Sequence, residues 1–384
     1  MSRPLGPSCP QVRAVASPRA VRRPSLRRPL LVVLASALAL TGCSGSGSGD
    51  DGRPAVSSSA PTRGSGQGEP SASATPPPGT AAQRLIPTSG RYFGISTLKT
   101  PWSPAETDAV ARRAGKQPNL LEYFVKWNEG YRRGAVDEAY KQGGVPLLTW
   151  EPWASVEAGN DQPDYALAEI ADGRHDAYVK RFAEDVRAHG RPLILRFAHE
   201  MNGTWFPWAE NTNGNDAGSY VKAWRHVHDL FTQAGVRNVV WQWSPNILRT
   251  IEKTRLRPLY PGDAYVDLVG LSGYRKYEKR AADVFDPALS EIRAFTKRPV
   301  LISETGARPG KDKAAWIADF FGWLRGRPEV IGFVWFERSP EHGGKQDWRF
   351  AETPGTQRAF RGGLAGLELA DAPDGEPVPS KEPE

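Results

Sequence analysis

From Arg91 onward, short apolar runs alternate with longer stretches in which apolar residues recur every three or four positions. Eight such runs predict strands at 92–97, 121–127, 145–150, 193–199, 239–243, 268–273, 300–303 and 331–336. Several are unbroken Val/Ile/Leu segments, the pattern of parallel strands covered on both faces. Between them the helical period predicts helices at 176–188, 219–234, 287–295 and 313–325. In the second of these, Val221, Trp224, Val227, His228 and Phe231 share one face, and Gly235 stands where a helix C-cap glycine belongs. Eight strands alternating with helices over about 250 residues is the size and rhythm of a (β/α)8 TIM barrel. The count, and the polar residues gathered at strand C-terminal ends, favour it over a doubly wound open sheet.

The flanks have another texture. Residues 1–42 hold seven arginines and no acidic residue, then an apolar run from Leu30 to Leu40, then Thr41-Gly42-Cys43. A basic start, a short apolar core and small residues predict a signal peptide over 1–43, too short to span a bilayer as a helix. Leu40-Thr41-Gly42-Cys43 resembles a bacterial lipobox, in which Cys43 would carry lipid. Residues 44–88, rich in Ser, Gly and Pro, predict a flexible tether. A single catalytic domain is expected over 89–366, and a disordered, acidic tail over 367–384.

Charge and cysteines narrow the function. The chain has a formal charge of +7, but the seven leader arginines account for all of it, so no basic nucleic-acid surface is indicated. The only cysteines are Cys9 and Cys43, which leaves the domain no disulfide or thiol chemistry. The expected location is the outer face of the cell membrane through a lipid anchor, or outside the cell, as a monomer.

Two strand ends carry the candidate chemistry. Glu200 follows the run 193–199 and Glu304 the run 300–303. A carboxylate at the end of an apolar strand is costly to bury without a task. Two of them on separate strands suggest the paired carboxyls of a glycosidase, one protonating the leaving oxygen and the other attacking the anomeric carbon. The plainer alternative is that each pairs with an arginine, Arg196 or Arg275. Trp205, Trp208 and Trp153 stand nearby and Trp335 sits in the eighth run, and indoles stack on the C–H faces of sugars. A Tyr274 hydroxyl at the end of the sixth run can donate to Glu304 and favour its ionised form. His199 precedes Glu200, so it faces away unless the strand bends. His-Glu-x-x-His is absent because position 203 is Gly, and no catalytic metal or cofactor is expected. Without a Gly-x-Ser-x-Gly elbow, a serine hydrolase is not supported.

The segment His199-Glu200-Met201-Asn202-Gly203-Thr204-Trp205 resembles the acid/base motif of glycoside hydrolase family 26, a retaining (β/α)8 family. Residues 260–267, leading to Gly273-Tyr274, are similar to that family's entry to the sixth strand. Ser303-Glu304 resembles its nucleophile strand, and Asp347-Trp348-Arg349 a segment after the eighth strand. Pro207 departs from the pattern, standing where another aromatic is expected. The resemblance implies double displacement, with Glu304 as nucleophile and Glu200 as acid/base. It implies a polysaccharide substrate: β-1,4-mannan first, mixed-linkage β-1,3-1,4-glucan or β-1,3-xylan otherwise. His199, Trp205, Trp208, Tyr274, Trp335 and Trp153 are the expected substrate-binding residues. A glycan-binding surface lipoprotein without catalysis remains the alternative of a different class.

Overall fold

Strands β1 (Tyr92–Ser96), β2 (Leu120–Lys126), β3 (Val145–Glu151), β4 (Leu193–Phe197), β5 (Val239–Trp243), β6 (Leu268–Arg275), β7 (Val300–Ala307) and β8 (Val330–Phe336) close into a barrel in chain order. Every neighbouring pair is parallel, and β8 returns to pair with β1. The computed structural model describes residues 80–249 and 255–378, all within the second of two units of the chain, Pro70–Glu384. The expected signal peptide with Cys43, and the tether up to residue 79, lie outside the described residues.

The described α-helices are α1 (Ala81–Leu85), α2 (Pro104–Ala114), α3 (Arg133–Lys141), α4 (Leu167–Ala171), α5 (Asp176–His189), α6 (Ser219–Gln233), α7 (Ala281–Arg293), α8 (Lys313–Arg325) and α9 (Pro354–Ala365), with short 3-10 turns at Pro163–Tyr165, Arg257–Leu259 and Pro340–His342. Their termini follow local chemistry. Ser103 caps α2 by accepting from the Glu106 N–H, Pro104 opens it, and Gly115 at φ 83° closes it. Helix α7 begins at Ala281, not at 287: Asp283 in its first turn accepts from the Arg280 backbone N–H at 3.2 Å and from its guanidinium at 2.6 Å, and Pro287 lies inside the helix. A proline is disfavoured there, which is why the sequence pattern started the helix too late.

Apolar side chains from all eight strands, among them Tyr92, Leu120, Leu147, Ile194, Val240, Leu268, Leu301 and Val334, pack together inside the lower barrel. Helix α1 covers that end with Ala81, Ala82 and Leu85, and the Tyr92 hydroxyl donates to the Leu85 carbonyl at 2.9 Å. Residues 80–88, placed in the tether from composition, therefore belong to the folded unit. The start of the expected tail is also built in. Leu367 is buried, Ala370 donates its N–H to the Arg91 carbonyl, and Val378 donates to that of Gly190.

One step higher in the barrel, the same inward face turns polar. Leu120 gives way to Glu122, Leu147 to Thr149, Ile194 to Arg196 and Val240 to Gln242, each two residues on and so on the same side of its strand. These buried polar groups need partners, and they find them in one another beneath the strand ends.

Candidate active site

Arg196 is the hub of that polar layer and is fully buried. Its Nη1 donates to Glu304 Oε1 at 2.5 Å and to Glu122 Oε1 at 3.1 Å. Its Nε donates to Ser244 Oγ at 2.9 Å, and its Nη2 to Ser272 Oγ at 2.6 Å. A guanidinium with this many fixed partners is held rigidly, and it delivers a permanent positive charge to Glu304. On the other side the Tyr274 hydroxyl donates to Glu304 Oε2 at 2.6 Å. Both oxygens of Glu304 are thus oriented. The ion pair weighed from sequence exists, but it is part of the cleft and not a substitute for it. Arg275 pairs elsewhere, 3.8 Å from Asp312.

Glu304 faces inward because β7 carries one extra residue. Gly270 of β6 pairs with Leu301, whereas Ser272 pairs with Glu304. That bulge shifts the alternation by one, so Ser303 and Glu304 both turn toward the barrel interior, Ser303 donating to Gln242 Oε1 at 3.1 Å.

Glu200 reaches the same space by another device. Strand β4 ends at Phe197, and Ala198 and Glu200 take left-handed backbone conformations, φ 45° and 54°. Non-glycine residues hold such angles at a cost that the surroundings must offset. Here the Ala198 N–H donates to the Trp150 carbonyl and the Glu200 N–H to that of Ser244. The bend lets both His199 and Glu200 line the cleft. The Trp205 indole N–H donates to Glu200 Oε2 at 2.7 Å. The Asn246 side chain also bonds the Glu200 carboxyl, and Asn246 is locked to Asn202 by two hydrogen bonds of 2.7 and 2.9 Å.

Burial raises the Glu200 pKa above the usual carboxylate range, and the nearby Glu304 charge adds to it; Arg196, Asn246 and Trp205 oppose the rise. Glu151, at the end of β3, is pushed up to about 7, chiefly by burial. Glu122 is pushed up to about 8 by burial and by Glu304. His199 titrates well below its ordinary value because it is buried and Arg196 is close. A neutral His199 keeps one ring nitrogen as an acceptor, and its Nδ1 is unpartnered among the described residues.

The cleft encloses about 700 Å3. Of the residues expected to bind substrate, His199, Trp205, Trp153 and Tyr274 line it. Trp205 is 42% exposed, and Trp153 donates to Glu151 Oε2 at 3.3 Å. Trp208 and Trp335 do not line it. Trp208 is fully buried, stacked under Phe206 at 4.4 Å, with its indole N–H on the His199 carbonyl. Trp335 is also fully buried, because Val334 occupies the inward position of β8 and alternation sends Trp335 outward among Phe320, Phe350 and Phe360. Their places are taken by Phe206, Trp348, Phe336 and Trp102, none of which the sequence pattern singled out as a sugar contact. Trp348 packs against Tyr274 at 4.7 Å, and Trp102 is 48% exposed on the loop after β1. The segment 347–349, noted only for its resemblance, was the one available signal for Trp348.

Known proteins resemble the chain as follows. The sequence profile described as glycosyl hydrolase family 26 matches residues 139–311, which include both glutamates. Endoglucanase H of Acetivibrio thermocellus is 31% identical over 263 residues, 64% of this chain and 27% of that protein. A mannan endo-1,4-beta-mannosidase of Bacillus subtilis is 30% identical over 247 residues, 57% of this chain and 65% of that one. The chain thus spans less than two thirds of either relative. Among solved structures, the catalytic domain of an endo-beta-1,4-mannanase from Bacillus sp. JAMB-750 superposes with a TM-score of 0.60 at 17% identity, over 76% of this chain and 92% of that one. A beta-mannanase from a symbiotic protist of the termite Reticulitermes speratus gives 0.56 at 19% identity, over 79% and 97%. These two likenesses show a shared fold.

Proposed function

We propose that the chain is a retaining endo-β-1,4-mannanase of glycosyl hydrolase family 26, whose profile matches residues 139–311. The observation that carries this reading is the pair Glu200 and Glu304, brought to one cleft from β4 and β7 and differently set. Glu200, with its raised pKa, is the proton donor. Glu304, oriented by Arg196 and Tyr274, is the nucleophile.

In the first step a Glu304 oxygen forms a bond to the anomeric carbon. The glycosidic C–O bond breaks, and the Glu200 proton passes to the departing oxygen. In the second step Glu200, now ionised, takes a proton from water. The water oxygen attacks the anomeric carbon, and the ester to Glu304 breaks with its electron pair returning to the carboxylate. Two inversions give net retention. The exposed Trp205 and the cleft-lining Trp153, Phe336 and Trp348 supply apolar faces for sugar rings. The B. subtilis relative supports mannan as the polymer. A second reading, a mixed-linkage β-glucanase using the same two glutamates, is supported by the likeness to Endoglucanase H. A non-catalytic glycan-binding lipoprotein is the least supported, since such a protein needs neither glutamate.

The deciding experiment measures reducing-sugar release from glucomannan, galactomannan and barley β-glucan, with Glu304→Ala alongside. Release from both mannans, lost in the variant, is expected. Release from barley glucan alone would replace mannan by glucan. Binding without release from any polymer would leave the non-catalytic reading. The anomer formed first, read by proton NMR, tests retention. For location we propose a lipid anchor at Cys43 on the outer face of the membrane; labelled palmitate should enter the full-length chain and not Cys43→Ser.

A further inference from the structure

At the β8–β1–β2 side of the cleft, the Arg338 guanidinium lies between two rings, 4.8 Å from the Phe336 centroid and 5.3 Å from that of Phe124. Both rings and Arg338 line the cleft. A guanidinium stacked this way keeps its planar fork in a fixed orientation. Its Nη2 donates to Ser96 Oγ at 3.2 Å, and its Nε is buried without a partner. Among the described residues, no carboxylate forms an ion pair with it. The adjacent Glu337 turns the other way, accepting from the Phe350 N–H and lying 3.6 Å from Arg113. Lys345, on the loop after β8, lines the same cleft with no ion pair among the described residues and is exposed. Elsewhere in the cleft both arginines are matched, Arg132 to Glu129 at 2.5 Å and Arg249 to Glu278, whereas Lys126 and Lys276 line it, like Lys345, with no ion pair among the described residues. What sets Arg338 apart is that it is the cleft arginine without an ion pair among the described residues and is held between two rings, with Lys345 beside it on the β8 loop, so this side of the cleft is short of negative charge. A neutral polymer does not supply that charge.

We propose that this end of the cleft receives a sugar bearing a C6 carboxylate, a uronic acid residue of the polysaccharide, with Arg338 as its bidentate partner and Lys345 adding attraction at longer range. A carboxylate matches the guanidinium fork in shape as well as sign. The inference rests on the hydrolase reading and deepens it, naming acidic mannans or glucans as substrates.

The test uses one glucomannan in two forms, untreated and with a fraction of its C6 hydroxymethyl groups oxidised to carboxylates. The measured quantity is the ratio of kcat/KM on the oxidised form to that on the untreated form, for the wild-type chain and for Arg338→Gln. The wild-type ratio should exceed the variant's by about tenfold at low salt, as expected for a charge-assisted bidentate contact. The excess should shrink as salt rises. Lys345→Gln, an exposed change with no folding consequence, should lower the ratio in the same direction by less. Equal ratios in wild type and both variants would overturn the proposal, as would a wild-type excess insensitive to salt. Affinity electrophoresis through the same two polymers reads the ratio without turnover. If no sugar is released, the hydrolase reading fails, while the electrophoretic ratio still decides this one.

Discussion

Glu304 stands in register with Ser272, although unbroken alternation from Leu301, which pairs with Gly270, would put Ser303 there. The extra residue in β7 is what turns the carboxyl toward Arg196. Glu200 needs an equivalent break, and it gets one from left-handed backbone at Ala198 and Glu200. Both glutamates are therefore delivered by local violations of strand periodicity. Backbone hydrogen bonds to Trp150 and Ser244 hold the bend at Glu200, and Arg196 and Tyr274 hold the Glu304 carboxyl.

The two glutamates should fail in different ways when removed. Glu200→Ala deprives the leaving oxygen of its proton, which should slow polysaccharide cleavage by about 10²–10⁴-fold. An aryl glycoside whose leaving group departs without a proton should lose much less in the first step and then accumulate the glycosyl-enzyme. Glu304→Ala removes the proposed nucleophile, so its loss should be independent of the leaving group. Steady-state and burst kinetics on both substrates check this. Equal sensitivity of the two variants to the leaving group would reverse or remove the assignment.

Trp205→Phe keeps an aromatic ring and deletes the N–H that donates to Glu200 Oε2. That bond favours the ionised carboxyl, so its loss should raise the Glu200 pKa further. With Glu200 as the proposed proton donor, cleavage should require its protonated form and fade as pH rises through its pKa. The alkaline limb of the kcat/KM profile should therefore move to higher pH. A limb that stays in place or moves to lower pH would show that another group sets it.

Glu337 links pH to stability rather than to chemistry. Burial pushes its pKa from 4.5 up to about 7. Between those values the folded chain holds a proton that the unfolded chain has released. Stability is thus full below pH about 4.5 and falls as pH rises toward 7, by on the order of 3 kcal/mol for a shift of this size. Glu151 and Glu122, pushed up to about 7 and about 8, act in the same direction. Glu337→Gln can keep the hydrogen bond from the Phe350 N–H while removing the titration. Its thermal midpoint should rise relative to wild type at pH 8 and not at pH 5. No gain at pH 8 would mean that Arg113 stabilises the ionised form more than burial penalises it.

The barrel was legible because its signal is local. Val/Ile/Leu runs and amphipathic helices announce themselves without reference to the rest of the chain, and the strands at 145–150 and 239–243 appear nearly as read. Helix α2 carries its signal in the N-terminal Ser103, Pro104 and Glu106 and little in its apolar period, since its buried residues are only Thr107, Val110 and Ala114. Glu200 and Glu304 were legible as strand-end carboxylates. The bend and the bulge that aim them were not, since both depend on hydrogen bonds to neighbouring strands. Arg196 was visible only as a possible ion-pair partner, although its place two residues beyond Ile194 puts it on the inward face of β4. Trp102 and Phe206 lie in loops, where no periodicity indicates which way a side chain points.

Strand β8 offers the sharpest separation of packing from binding. Trp335 and Trp348 are joined by one hydrogen bond, from the Trp335 indole N–H to the Trp348 carbonyl at 2.9 Å, yet only Trp348 lines the cleft. Trp335 fills space between the barrel and α8 and α9, against Phe320 and Phe360. Trp335→Ala should leave a cavity there and cost about 3–5 kcal/mol of stability. Trp335→Phe should cost less and leave KM near the wild-type value. Trp348 lines the cleft but is only 8% exposed, so Trp348→Ala should lower the thermal midpoint as well and, unlike Trp335→Phe, raise KM for polymer several-fold through the lost ring face. Thermal unfolding and initial-rate kinetics on the same preparations separate the two. A KM effect confined to Trp335 would restore it as the sugar platform and would require β8 to be in the opposite register to β1.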